Sequence, residues 1–382
     1  MLPTLFLLIA QAQDLSPGRK HFYNLDFPQA LAEFEKDVAR APEDPIAHNQ
    51  VAQTILYNDM FRNGALESEM IAGSNAFLKR EAIQPSAIDQ KKFADAIARA
   101  MSICEARLQR NVKDKEALYA LGMSYGLKAN YDFLVRKAWS EALSGAGKAR
   151  KYHERVTEID AEFTDAFLVQ GIHQYVVGSL PRTARFFGFF LGFRGDRAKG
   201  IEMLRKVEIY GQRNRLDAQV LLAAIYRREK RQTEAIPLLS VLGDRFPRNF
   251  LFQFELSQMY ADLGEKARSL AILDQVESNR AARRNGYERV TRERVAFARG
   301  NLLFWYNDLD QAVVSMKVAT AGAAQLSLGT GVLAWMRLGQ IHDLRGERKE
   351  AIAAYQQAVK FAPGSEVAKE AKGYGRSAYR RK

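Results

Sequence analysis

Five histidines, one cysteine and a few carboxylate pairs are the side chains here that could carry chemistry, and their spacing argues against it. His21, His48, His153, His173 and His342 are scattered, and none stands in H-E-x-x-H or another metal-ligand spacing. His21 and His342 fall on helix faces where packing is the expected role. The single cysteine, Cys104 in ARAMSICEARL, rules out an internal disulfide framework and a cysteine-based zinc cluster. Its apolar helical neighbours make it a small packed hydrophobe. The glycines of Gly145-Ala-Gly147 and Gly329-Thr-Gly331 lack the Lys and Ser or Thr of a phosphate loop. No G-x-S-x-G elbow is present. Glu347 and Glu350 lie at the start of a predicted helix, where they favour the positive end of its dipole. The expectation is a non-enzymatic chain with no cofactor and no metal.

The other chemically loaded feature is charge. The 382 residues carry a formal net charge of +13 with 47% hydrophobic residues, a globular composition whose basic surface favours anionic partners. Acidic protein segments and anionic lipid headgroups fit that description. Nucleic acid is not expected, because no recognition module is legible and the aromatics occupy helix-packing positions. The most basic stretch, RAARRNGYERVTRERVAFAR from Arg280 to Arg299, is read as a helix with a charged, solvated face.

The elements that must position these side chains are helices. Within Leu333 to Pro363, Trp335, Leu338, Gly339 and His342 keep the i, i+3, i+4, i+7 spacing of one helix face, and Ala351, Tyr355 and Ala358 do so for a second. Leu344 to Arg348 is the turn between them, and Pro363 ends the second helix. Gly339, Ala351 and Ala358 let two antiparallel backbones approach while Trp335 and Tyr355 fill the flanks. This stretch resembles one tetratricopeptide repeat. Leu222, Ala223, Tyr226, Ala235, Leu239 and Pro247 form a similar unit, and Leu256, Ser257, Tyr260, Ser269 and Leu273 repeat it after about 34 residues. Gly300, Leu303, Ala312, Met316 and Ala319 form another.

The first half is less even. Gly18, His21, Ala30, Phe34 and Pro42 mark a first unit; Ala47 to Asp59 and Pro85 to Arg110 read as the next helix pair, with Phe61 to Ile83 departing from the pattern. Leu118, Leu121, Gly122 and Tyr125 restart a repeat whose partner helix spans Ala138 to Ile159, and Phe167 and Gly171 open another. Ahead of them, MLPTLFLLIAQAQ ends in the small-x-small pattern Ala10-Gln-Ala12, read as an export signal with the mature chain from Gln13 in a bacterial periplasm or envelope. The competing readings are a buried N-terminal helix and a cytoplasmic chain.

One insertion breaks the rhythm: VGSLPRTARFFGFFLGFRGDRAKGIEMLRKV, from Val177 to Val207. Its Ser-Leu-Pro entry, aromatic helix and Gly-Phe-x-Gly-Asp-Arg run resemble the eukaryotic tetratricopeptide family that includes mitochondrial outer-membrane-associated inclusion-clearance proteins, over Gly171 to Pro247. The resemblance implies a motif inside a helical array and an interaction protein rather than an enzyme. Physically, Arg185, Phe186, Phe187, Phe190, Phe193 and Arg194 make a helix that either packs within the array or lays its phenylalanines into a membrane with arginines at headgroup level.

The expected fold is all-α, a right-handed superhelical solenoid of antiparallel helix pairs. It divides into a signal (1–12), irregular N-terminal repeats (13–176), the aromatic and basic insertion (177–198), a C-terminal array (199–372) and a basic tail (373–382). The expected function is a scaffold that binds a protein or peptide in its concave groove; the alternative is a peripheral membrane-associated protein that binds anionic lipid through Phe186 to Phe193 and its basic surface. First-helix faces would present Arg227, Arg228, Gln258, Asp262, Phe297, Asn301, Arg337 and Gln340 there, long polar side chains able to grip an extended backbone or its carboxylates.

Overall fold

The computed structural model describes residues 15–66, 82–180 and 194–381. Among them are seventeen α-helices and no strand. They are α1 (Pro17–Tyr23), α2 (Phe27–Arg40), α3 (Pro45–Arg62), α4 (Ala87–Arg110), α5 (Lys115–Tyr131), α6 (Trp139–Ile159), α7 (Phe167–Gly178), α8 (Arg197–Tyr210) and α9 (Arg215–Arg228). There follow α10 (Gln232–Arg245), α11 (Phe250–Asp262), α12 (Lys266–Ala281), α13 (Arg292–Trp305), α14 (Leu309–Ala321), α15 (Leu328–Leu344), α16 (Arg348–Phe361) and α17 (Glu366–Arg376). Odd-numbered helices to α15 are the first members of eight pairs, and α17 caps the last. Each helix packs chiefly on its neighbours in sequence, as in a solenoid of helix pairs.

A three-residue register builds most of the pairs. A small residue on the first helix is followed twelve residues later by a small residue on the second, and sixteen residues later by a large one. The sets are Gly18–Ala30–Phe34, Ala223–Ala235–Leu239, Ser257–Ser269–Leu273, Gly300–Ala312–Met316 and Gly339–Ala351–Tyr355. The small pair brings the helices together, and the large side chain then packs against the first helix at its small residue. At Gly18 a Cβ would fall 2.6 Å from the Phe34 ring, and at Gly300 3.0 Å from Met316. Ser257 meets the same demand with a hydroxyl, within 2.9 Å of Ser269 Oγ and donating to the Ser269 carbonyl. In the longer pair α5/α6 the imidazole of His153 lies over Gly122.

The ends of the helices follow local chemistry. Ser16, Asp44, Ser86, Asp114, Asp196, Asn249, Thr291, Ser327 and Ser365 each accept a hydrogen bond from a backbone amide in the first turn of the helix they open. Gly346 takes φ +78° between α15 and α16, a conformation glycine enters at no steric cost.

The superhelix also closes on itself. The α1–α2 turn sits against the α10–α11 corner: Asn249 Nδ2 donates to the Tyr23 carbonyl, the Arg248 amide donates to Asn24 Oδ1, and the Tyr23 and Phe246 rings are 5.1 Å apart. Asp26, buried in this seam, pairs with Arg248 and lies 3.9 Å from Arg289, which also donates to the Leu25 carbonyl. The stretch from Arg280 to Arg299 is therefore not one solvated helix. Helix α12 ends at Ala281, the connection carries Arg289 into the seam, and α13 starts at Arg292.

Candidate binding face

First helices of successive pairs place their outward positions side by side. On α9, α11 and α13 this gathers Arg227, Glu255, Gln258 and Arg294 around a cavity of about 20 Å³, room for one water. Arg227 Nη1 donates to Glu255 Oε2 at 3.1 Å, and Gln258 Nε2 donates to Asp262 Oδ1 at 2.7 Å. Arg294, almost fully buried, holds its guanidinium 4.9 Å from the Phe254 ring and 5.9 Å from that of Phe297. Arg228 and Asp262 are exposed on the rim. The result is a strip of alternating charge on an aromatic floor, with side chains already oriented by their neighbours.

The sequence reading placed three residues wrongly. Phe297 is 0% exposed and belongs to the core between α13, α14 and α15, so it is floor rather than groove. Arg337 (8% exposed) and Gln340 (3%) are also buried. Arg337 lies 4.1 Å from the Phe304 ring and 5.0 Å from Trp305, and its Nη1 donates to Gln340 Oε1 at 2.8 Å. The physical reason is packing between repeats: Phe297 joins the core shared by α13, α14 and α15, and Arg337, bonded to Gln340, lies on two rings of α13. Asn301 is half-buried, and its Oδ1 has no hydrogen-bond partner among the described residues. Arg227 and Gln258 line one cavity and Asp262 bonds to Gln258; Glu255 lies beside them and Arg294 beneath, and neither is among the residues singled out from the sequence. Arg294 was hidden in a stretch dominated by charge, and only the spacing Arg294–Phe297 on one helix face hinted at it.

Of the aromatic insertion, Arg185, Phe186, Phe187, Phe190 and Phe193 lie outside the described residues, and Arg194 is exposed. Residues 1–14, with the expected export signal, also lie outside them. Among the described residues no helix is long and apolar enough to cross a membrane.

A second cavity, of about 250 Å³, is lined by Asp44, Pro45, Ile46, Arg107, Glu116 and Arg213. Its charges are matched internally: Arg213 donates to Glu116 at 2.7 Å, and Arg107 makes a two-pronged bond to Asp114 at 2.9 and 3.0 Å. Nearby, the buried Asp165 carboxylate accepts from the amides of Gln212, Arg213 and Asn214 and fixes the α8–α9 connection. These are structural networks.

Residues 332–365 match the family model for the tetratricopeptide repeat. A comparison with curated proteins finds no match. Among solved structures, yeast Tom70 is similar over 94% of this chain and 87% of its own, at 12% identity and TM-score 0.43. A tetratricopeptide repeat protein from Parabacteroides merdae is similar over 94% and 96%, at 12% identity and TM-score 0.33. YrrB, a repeat protein described as having an unusual peptide-binding site, is similar over 71% and 97%, at 14% identity and TM-score 0.33. The pair matched by the family model, α15/α16, carries the same small–small–large register as α1/α2, α9/α10, α11/α12 and α13/α14, so residues 332–365 are one tetratricopeptide repeat within an array of helix pairs.

Proposed function

We propose that this chain is a non-enzymatic scaffold that takes a protein or peptide partner along the first-helix face of α9, α11 and α13. One observation carries the reading: Arg227, Glu255, Gln258 and Asp262 come from two consecutive first helices onto one strip, with the buried Arg294 of a third lying beneath them. Their mutual bonds fix the side chains before a partner arrives, which lowers the entropy lost on binding. Both signs of charge are present, suiting an extended backbone with mixed side chains. The net charge of +13 adds long-range attraction for acidic partners. Export after Ala12 belongs to the same proposal, and mass determination of the native N-terminus tests it.

The binding reading is tested by placing a photo-crosslinking residue at Gln258 and, separately, at Val314 on α14, which is 64% exposed on a second helix. Partner adducts from cells should form at position 258 and not at 314. Equal adducts at both positions would refute the strip as the binding face.

A further inference from the structure

We infer that residues 377–381 occupy a second peptide site in cis, and that a partner segment of the same chemistry, extended and reading aromatic-x-basic, takes the site by displacing them. The chain leaves α17 at Ser377 in an extended conformation, φ −125° and ψ 123°, and crosses the C-terminal ends of α15 and α13. Three contacts seat it. The Tyr379 amide donates to Asp343 Oδ2 at 2.7 Å. The Tyr379 ring lies edge-on to Tyr374 at 5.2 Å and tilted to Phe304 at 6.1 Å. Arg381 holds its guanidinium 4.9 Å from the Phe304 ring, and donates to the Phe304 carbonyl at 2.6 Å and to Asn307 Oδ1 at 3.1 Å.

Side chains alternate along this segment as in a bound strand: Tyr379 and Arg381 are half-buried against the array, while Ala378 and Arg380 are exposed. The receiving groups are held by the array independently of the segment. Asp343, whose side chain is 0% exposed, is fixed by Arg348 Nη1 at 2.8 Å and by the Tyr355 hydroxyl at 2.8 Å. Phe304 is backed by Arg337. Such a preformed acceptor, aromatic face and Asn cap recognise one backbone amide, one ring and one guanidinium two residues apart. The contact set is small, and the short tether supplies much of the occupancy as an effective concentration in the millimolar range, so a longer partner segment can compete.

The inference rests on the scaffold reading only in taking the chain to bind peptides; it uses a different face, so the crosslinking result and the peptide result are distinguishable. The test compares the full chain with one ending at Arg376, using a fluorescent amidated peptide SAYRRK and anisotropy up to about 1 mM, the order of the tethered concentration. The shortened chain should bind the peptide saturably and at least ten times more tightly than the full chain; Asn307→Gly in the shortened chain, which keeps the left-handed backbone at φ 62°, should weaken it several-fold. Should shortening disturb the fold by circular dichroism, full-length Y379A/R381A takes its place with the same expectation. Binding to neither chain, or equally to both, would overturn the proposal. So would a concentration-dependent dimer that vanishes on shortening, since the segment would then belong to a second copy.

Discussion

Acid should loosen the α5/α6 pair through one residue, His153. Its ring is 2% exposed, lies over Gly122 and edge-on to Tyr119 at 5.2 Å, and its Nδ1 bonds to the Ala149 carbonyl at 2.8 Å. A carbonyl only accepts, so Nδ1 carries the proton, and charging the ring would bury a cation with a second N–H. Burial accordingly pushes the imidazole pKa down from 6.5 to about 4. The unfolded segment binds a proton below pH 6.5 and the folded one does not until about pH 4. Stability is therefore intact above 6.5 and lost progressively as pH falls towards 4. The cost works out at roughly 0.2 kcal/mol at pH 7 and roughly 2 kcal/mol at pH 5, or about thirty-fold in the local opening constant.

Because repeat arrays open locally, the assay is native-state hydrogen exchange of α5 and α6 peptides at pH 7 and pH 5, corrected for intrinsic rates, in the parent and in H153L. The variant cancels other titrations, notably Asp59, whose buried carboxyl is pushed up to about 6 and acts with the opposite sign. The parent should lose roughly 2 kcal/mol more protection than H153L between the two pH values. Equal losses in the two proteins would refute the assignment of His153 as a buried neutral ring.

The register that builds the pairs is open to direct attack at Gly339, where any Cβ would collide with the Tyr355 ring, itself 1% exposed and anchored through its hydroxyl to Asp343. Gly339→Val should destabilise α15/α16 by about 1–3 kcal/mol despite a better helix propensity, read as lost exchange protection in those helices; unchanged protection would mean the stack tolerates the added volume. Cys104 is 0% exposed and burial pushes its thiol up to about 12, so a thiol reagent at pH 8 should label it only after unfolding in urea. Rapid labelling of the native chain would contradict its packing.

The helices and their pairing were legible because they depend on neighbours within about 34 residues. Gly18 with Ala30, or Gly339 with Ala351, states in one repeat both where two backbones must touch and which side chain covers the contact. Three things were decided only by the tertiary structure, each by contact between residues far apart in sequence. Phe297, Arg337 and Gln340 sit at outward helical positions yet are buried, because Phe297 joins a core shared with α14 and α15, and Arg337, bonded to Gln340, lies on the Phe304 and Trp305 rings of α13. Arg289 and Arg294, indistinguishable by composition from solvated arginines, serve as a seam partner to Asp26 and as a cation between Phe254 and Phe297. The basic segment 377–381, which in sequence is only charge and one tyrosine, acquires a site from Asp343, Phe304 and Asn307, three residues on two repeats. A local pattern records which face of a helix is apolar; which outward faces are then covered is set by the curvature of the whole array, a sum of small rotations that no single repeat encodes.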